Sequence, residues 1–233
     1  MNFAIDSSSL GASVPLKLKF DLHVHTVNSR DAFTPLSKLA HFCKLKGMDG
    51  IAITDHNSPC LAAPEGTITI PGMEVSSSDG HIIGLGLSGS LKRGLSANQT
   101  IRDIHQLGGL AIIPHPYDLF RSSVRPELLT VRPDAIEVFN ASSILHSITW
   151  KKAAAYAETT GLPTVAGSDS HIPQTLGTAY TIVESDSARP EAVVRAIRNG
   201  LVTPIPGTIG LSQRLRKLLL QSRKGSKLSL HLE

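Results

Sequence analysis

Short apolar runs recur along this chain, each followed by a helix-compatible stretch, and five of them end in histidine, aspartate or glutamate. Runs at 17–24, 50–54, 67–75, 81–87, 110–113, 135–139, 164–166 and 179–183 read as buried strands. The helices between them have recognisable ends. Thr34 is placed to cap a helix with Pro35 at its first position, an apolar stripe of Leu36, Leu39, Ala40 and Cys43, and a stop at Gly47. Ser96 is placed to cap a second, ended by Gly108-Gly109; Gly161 closes a longer one over 144–160, and Pro190 opens another that Gly200 ends. The runs at 67–75 and 81–87 flank a Ser-rich turn ending in Asp79-Gly80 and suit a hairpin. Such alternation predicts a largely parallel α/β arrangement, either a doubly wound sheet or a closed barrel.

The polar ends decide between the two. They are Asp21-Leu22-His23-Val24-His25, Thr54-Asp55-His56-Asn57, Gly72-Met73-Glu74, Pro114-His115-Pro116 and Ser168-Asp169-Ser170-His171. A barrel enzyme gathers its site from the C-terminal ends of several strands, whereas a doubly wound sheet concentrates it at one switch point. Five such ends on one rim predict a barrel. Residues two apart on a strand face the same side. His23 and His25 can therefore grip one metal or two adjacent ones, and Asp169 and His171 repeat the pattern. Imidazole with carboxylate suits Zn, Mn or Fe, and Glu74 has two oxygens with which to bridge a pair of ions. A single histidine at a strand end is most often hydrogen-bonded or at the surface; five such segments together point to a metal site. His41, His105, His146 and His231 do not share this placement and read as solvated.

The chain has 233 residues, 41% of them apolar, enough for one core, which the 4% aromatic content makes aliphatic. It contains no run of about 18 apolar residues that would span a membrane. Met1 to Val14 lack the basic start and apolar stretch of a secretory signal. Cys43 and Cys60 give neither a disulfide framework nor a cysteine zinc site, so a reducing cytoplasm is the simplest compartment. The net charge of +4 is uneven: residues 211–233 carry six basic side chains against Glu233, leaving −1 for residues 1–210. The expected division is thus a barrel over 1–210 and a basic amphipathic helical tail over 211–233. In the tail, Leu211, Leu215, Leu218 and Leu219 form one stripe, expected to dock on the barrel with the basic residues outside. That outer face also suits nucleic-acid phosphates or, as a third reading, an anionic lipid surface.

At these motifs the chain resembles the PHP (polymerase and histidinol phosphatase) family, above all its small stand-alone phosphoesterases. The matching pieces are 21–26, 54–57, 72–75, 81–85, 114–116 and 168–171, in the family's order. The resemblance implies a distorted (β/α)7 TIM-like barrel with two or three divalent ions. His23, His25, Glu74 and Asp169 would hold one ion, Glu74, His81 and His115 a second, and Asp31, His56 and His171 a third. Asp21 and Asp55 would orient neighbouring histidines. Small relatives often carry an inserted domain where this chain has only residues 88–97, which implies an open site.

These readings together predict a metal-dependent phosphoesterase acting through metal-activated hydroxide, with His23, His25, Glu74, Asp169 and Arg121 in the catalytic machinery. Arg121 and Arg125, in the loop after His115-Pro116, and Arg30 are the expected phosphate-binding cations. The expected partner is a nucleotide, a short nucleic acid or another small phosphorylated molecule, with no membrane insertion. Two alternatives are a metal-dependent amide hydrolase and an RNA-binding scaffold of the same fold.

Overall fold

The structure, a computed structural model, describes residues 14–60 and 63–229. The expectations for His231 and for the first 13 residues fall outside that range. Nine strands form one sheet: β1 (Leu16–Val24), β2 (Gly50–Ile53), β3 (Ile68–Ser76), β4 (His81–Leu85), β5 (Leu110–Ile113), β6 (Ala135–Asn140), β7 (Thr164–Gly167), β8 (Tyr180–Ser185) and β9 (Val202–Ile205). The helices are α1 (Leu36–Leu45), α2 (Ala97–Gln106), α3 (His146–Thr160), α4 (Pro190–Arg198) and α5 (Leu211–Ser229). Strand order is β7-β6-β5-β4-β3-β2-β1-β8-β9. The chain just past β7 returns to β1 through a parallel Val24–Ser170 bridge, where His25 N donates to Ser170 O at 2.9 Å. The sheet thereby curls into a nearly closed, distorted TIM-like barrel.

The expected parallel pairing holds for β1–β2–β3 and β5–β6–β7, β4 is antiparallel to β3 as the expected hairpin requires, and β8 runs against the expected direction. The reason is connection length. A parallel return needs a crossover of a dozen residues or more, usually helical. Residues 77–80 between β3 and β4 form only a turn, and residues 168–179 before β8 carry site residues and one 3-10 turn instead of a helix.

Alternation sorts the strands into two layers. Leu110 and Ile112 of β5 point inward with Phe20, Leu22, Ile70, Ile83 and Val165, and α4 closes this interior with Val193 and Ile197. Ala111 and Ile113 point outward against α2 and α3, while Ile51 and Ile53 meet α1. β1 breaks its own alternation. Leu18, Phe20 and Leu22 face inward, yet Val24 packs outward under α1, because the β1–β2 register shifts between Asp21 and Val24. This irregularity turns His23 and His25 toward the barrel mouth, as bulges beside sites often do.

Two local readings are corrected. Pro35, not Thr34, caps α1, and no side chain bonds the cap; Thr34 is buried one residue earlier. Ser96 caps α2 as expected, accepting from Gln99 N at 3.2 Å. The second correction is the orientation of α5. Its leucines 211, 215, 218 and 219 are between 51% and 73% exposed, and the inward face carries Gln213, Arg214, Lys217 and Gln221. Gln213, Arg214 and Gln221 donate to carbonyls on the rim, which leucine side chains cannot do.

Candidate metal centre

Glu74, buried near the end of β3, stands at the middle of the rim. Its Oε1 lies 3.0 Å from His81 Nδ1, 3.0 Å from His115 Nε2 and 3.5 Å from His23 Nε2. Its Oε2 lies 3.0 Å from His56 Nδ1 and 3.3 Å from His25 Nε2. Five imidazoles thus converge on one carboxylate. Asp169 Oδ1 is 3.3 Å from His171 Nδ1, 3.4 Å from His25 Nε2 and 3.8 Å from His23 Nε2. Asp31 Oδ2 meets His171 Nε2 at 2.9 Å, and its Oδ1 lies 3.9 Å from His56 Nε2. All nine residues expected as ligands are therefore brought to one end of the barrel. His81 joins from the first residue of its strand because β4 is reversed, which places that strand's start among its neighbours' ends.

Within this array four groups have ligand atoms within 4.8 Å of one another: His23–His25–Glu74, His23–His115–Asp169, His56–Glu74–His81 and His25–His56–His171. The donor atoms fit a cation. His23 Nε2, His25 Nε2, His81 Nδ1 and Asp31 Oδ1 are buried without a hydrogen-bond partner, an expensive condition for protein atoms alone. Electrostatics point the same way. Burial alone would raise the carboxyls of Glu74 and Asp169, but His23, with His81 at Glu74 and Arg121 at Asp169, holds both well below the usual carboxylate range. Burial likewise opposes charge on His23, yet Asp169, Glu137 and Glu74 outweigh it and raise that imidazole. Burial beside His171 pushes His25 down to about 3, so it stays neutral and can donate a lone pair. The cluster is short of positive charge, and a divalent ion would supply it.

A second set of contacts orients the rings. Glu137 Oε1 lies 3.2 Å from His23 Nδ1, Ser29 Oγ 3.2 Å from His25 Nδ1, Ser123 Oγ 3.2 Å from His115 Nδ1, and the Asp169 carbonyl 2.9 Å from His171 Nδ1. A carbonyl only accepts, so His171 carries its proton on Nδ1. In all four rings Nε2 is left facing the centre. Sequence reasoning missed Glu137. The only signal was a charged residue inside the apolar run at 135–139. It also accepts from His115 N at 2.7 Å and from Asn140 Nδ2 at 2.9 Å. Gly167 makes room for it, since a Cβ there would sit 2.5 Å from His23 Cβ and 2.8 Å from Glu137 Oε1.

Asp21 and Asp55 touch no imidazole. Asp21 accepts from Ser168 N at 2.9 Å and Gly177 N at 2.8 Å, tying β1 to the Asp169 loop. Asp55 accepts from Thr26 N and from Ser29 Oγ, and acts on His25 only through that serine. His115 (φ 32°) and Asp169 (φ 52°) both occupy the left-handed backbone region. Such strain at non-glycine residues costs on the order of 1–3 kcal/mol each and clusters at functional sites.

The three arginines differ. Arg121 has one guanidinium nitrogen on Asp169 Oδ2, with its Nε 3.6 Å from Asp118 Oδ2. Arg125 is 71% exposed and faces Glu127 at 3.6 Å, and Arg30 is exposed on the loop between β1 and α1. Of the histidines read as solvated, His41 is exposed, His105 meets Asp134 at 2.9 Å, and His146 is half-buried with its ring 5.0 Å from that of Trp150. The expected open site is also corrected: α5 covers part of the rim, with Gln221 reaching the Asp31 carbonyl at 3.4 Å.

Comparison with known proteins places this geometry. The PHP domain profile matches residues 21–113, and a PHP-associated profile matches 149–202. The uncharacterized protein MJ1587 of Methanocaldococcus jannaschii is 34% identical over 141 residues, spanning 53% of this chain and 82% of the relative. MJ0417 of the same organism is 33% identical over 172 residues, 70% of this chain and 69% of the relative. Among solved structures, a Bacteroides vulgatus two-domain protein containing a predicted PHP-like metal-dependent phosphoesterase superposes with a TM-score of 0.62 at 18% identity, over 89% of this chain and 70% of that one. A lesion-specific endonuclease from Pyrococcus furiosus gives 0.58 at 16% identity, over 81% and 58%. An amidohydrolase from Chromobacterium violaceum, with bound sulfate and no metal, gives 0.55 at 18% identity, over 79% and 97%. No helix among the described residues is long and apolar enough to cross a membrane. The chain belongs to the PHP domain family.

Proposed function

We propose that this chain is a metal-dependent phosphoesterase. The observation that carries the reading is Glu74 amid five imidazoles, several of whose inward nitrogens are buried and unpartnered. His23, His25, Glu74 and Asp169 would hold one ion, Glu74, His81 and His115 a second, and Asp31, His56 and His171 a third. Such ions, when bound, lower the pKa of water toward neutrality and draw charge from phosphoryl oxygens. Glu137, Ser29, Ser123 and the Asp169 carbonyl keep the ring protons on the outer nitrogens. Arg121 would supply a fixed cation to the substrate's phosphoryl oxygens while holding Asp169 in place. Arg125 and Arg30, at the periphery, would act as steering charges for an anionic substrate.

The amide-hydrolase alternative finds less support. Amidohydrolase centres of this general kind use a buried lysine to bridge two metals, and no lysine is among the buried side chains of the described residues. The RNA-scaffold alternative also finds less support, because all nine expected ligand residues are present and gathered at one end of the barrel.

The test is reconstitution with Mn²⁺, Zn²⁺ or Fe²⁺, elemental analysis, and a screen of phosphomonoesters, phosphodiesters and short RNA. Two or three ions per chain with phosphoester turnover are expected. Fewer than one ion per chain, or turnover confined to amides, would overturn the reading.

A further inference from the structure

The helix α5 lies over the mouth of the barrel and is anchored there by polar contacts. Arg214 donates to the carbonyls of Ser142 at 2.9 Å, Ser143 at 3.0 Å and Ile209 at 3.1 Å, so its guanidinium serves as an anchor. Gln213 donates to the Gln174 carbonyl at 3.3 Å, and Gln221 donates to the Asp31 carbonyl at 3.4 Å on the adjoining rim loop. Lys217 lies one turn from both glutamines on the same face. It is half-buried and makes neither a hydrogen bond nor an ion pair among the described residues. It lines a cavity of about 390 Å³ together with Arg121, Asp169 and His171. Its lining also includes the apolar side chains of Phe120, Ile144 and Leu218.

An ammonium partly withdrawn from water without a hydrogen bond is costly, and burial pushes Lys217 below the ordinary lysine range even though Asp169 pulls the other way. An anion in the cavity would offset that cost. The cavity is at the small end of ligand clefts, which run to roughly 300–1,000 Å³. The helix is fastened over this cavity by Arg214 at one end and Gln221 at the other, which suits a compact ligand better than a continuous strand, whose binders use a long open groove.

We propose that Lys217 is a substrate-binding residue: its ammonium receives the phosphoryl oxygens of a small phosphate monoester at the metal centre, with the ester's apolar body against Phe120, Ile144 and Leu218. The proposal rests on the phosphoesterase reading and names its substrate class.

The experiment compares the metal-loaded full chain with Lys217→Ala and Lys217→Arg. Metal content, inorganic phosphate binding by calorimetry, and kinetics on p-nitrophenyl phosphate, its bis ester and a short oligonucleotide are measured. Wild type is expected to favour the monoester. Lys217→Ala should weaken phosphate binding and raise KM for the monoester by at least tenfold with metal content unchanged, and Lys217→Arg should recover part of both. Unaltered phosphate affinity and KM in Lys217→Ala, or a wild type that prefers the oligonucleotide, would overturn the proposal. A wild type that loads metal yet binds no phosphate and cleaves no phosphoester would instead fail the reading beneath it, and that failure shows without any variant.

Discussion

The rim cluster and the helix that covers it are held by opposite means. Every ligand-type residue of the cluster grows from a strand end or the loop just beyond it, and four of its rings have a second contact behind them. α5 is tied to the rim through side chains reaching backbone carbonyls, and leaves Leu211, Leu215 and Leu219 exposed. The cluster therefore inherits its geometry from the sheet, whereas the roof depends on a few replaceable polar bonds. Chemistry common to a family belongs on the first kind of support; what is admitted to that chemistry can vary on the second.

Four substitutions, in three tests, probe this contrast. The largest effect is expected at the cluster: His23→Ala or Asp169→Ala should drop metal content and turnover to background while circular dichroism of the barrel persists. Retained metal in both variants would show that the sheet alone does not define the centre. Next is Glu137→Gln, which keeps shape but weakens the hold on His23. Metal affinity should fall by about 10–100-fold, the range typical of lost outer contacts, as read by chelator competition. Equal affinity would mean that the backbone already fixes that ring. Smallest is Leu215→Ser on the roof. An exposed helical site of this kind shifts stability by no more than about 0.5 kcal/mol in denaturant titration. A loss of 2 kcal/mol or more would reveal a burial partner for the leucines and dissolve the contrast.

The barrel and seven of its nine rim residues were legible because strand-end histidines and carboxylates carry a chemical signature at fixed spacing, whereas Asp31 and His81 came only with the family resemblance. Three things were not. The reversal of β8 depends on what fits into 168–179, and the alternation pattern has no sense of direction; that of β4 was legible, since the turn ending in Asp79-Gly80 marked a hairpin. The shift in β1 leaves no mark in the letters: Leu18, Phe20, Leu22 and Val24 look like one face, yet Val24 lies on the other. The leucine stripe of α5 suggested burial, but amphipathicity states only that two faces differ. Which face meets the barrel was decided by bare carbonyls at Ser142, Ser143, Gln174 and Asp31, and these no sequence pattern reveals.

The tight hairpin between β3 and β4 couples two ligand positions as though on one gauge. Ser76 pairs with His81 and Glu74 with Ile83, so the turn at 77–80 sets the phase between Glu74 and His81. A slip of one residue in a strand exchanges its two faces. Here it would bring Ile82 to the mouth and carry His81 into the outer packing layer. Insertions that the loop at 88–96 can absorb are thus forbidden eight residues earlier, and the length of that turn is as much a part of the metal chemistry as the side chains themselves.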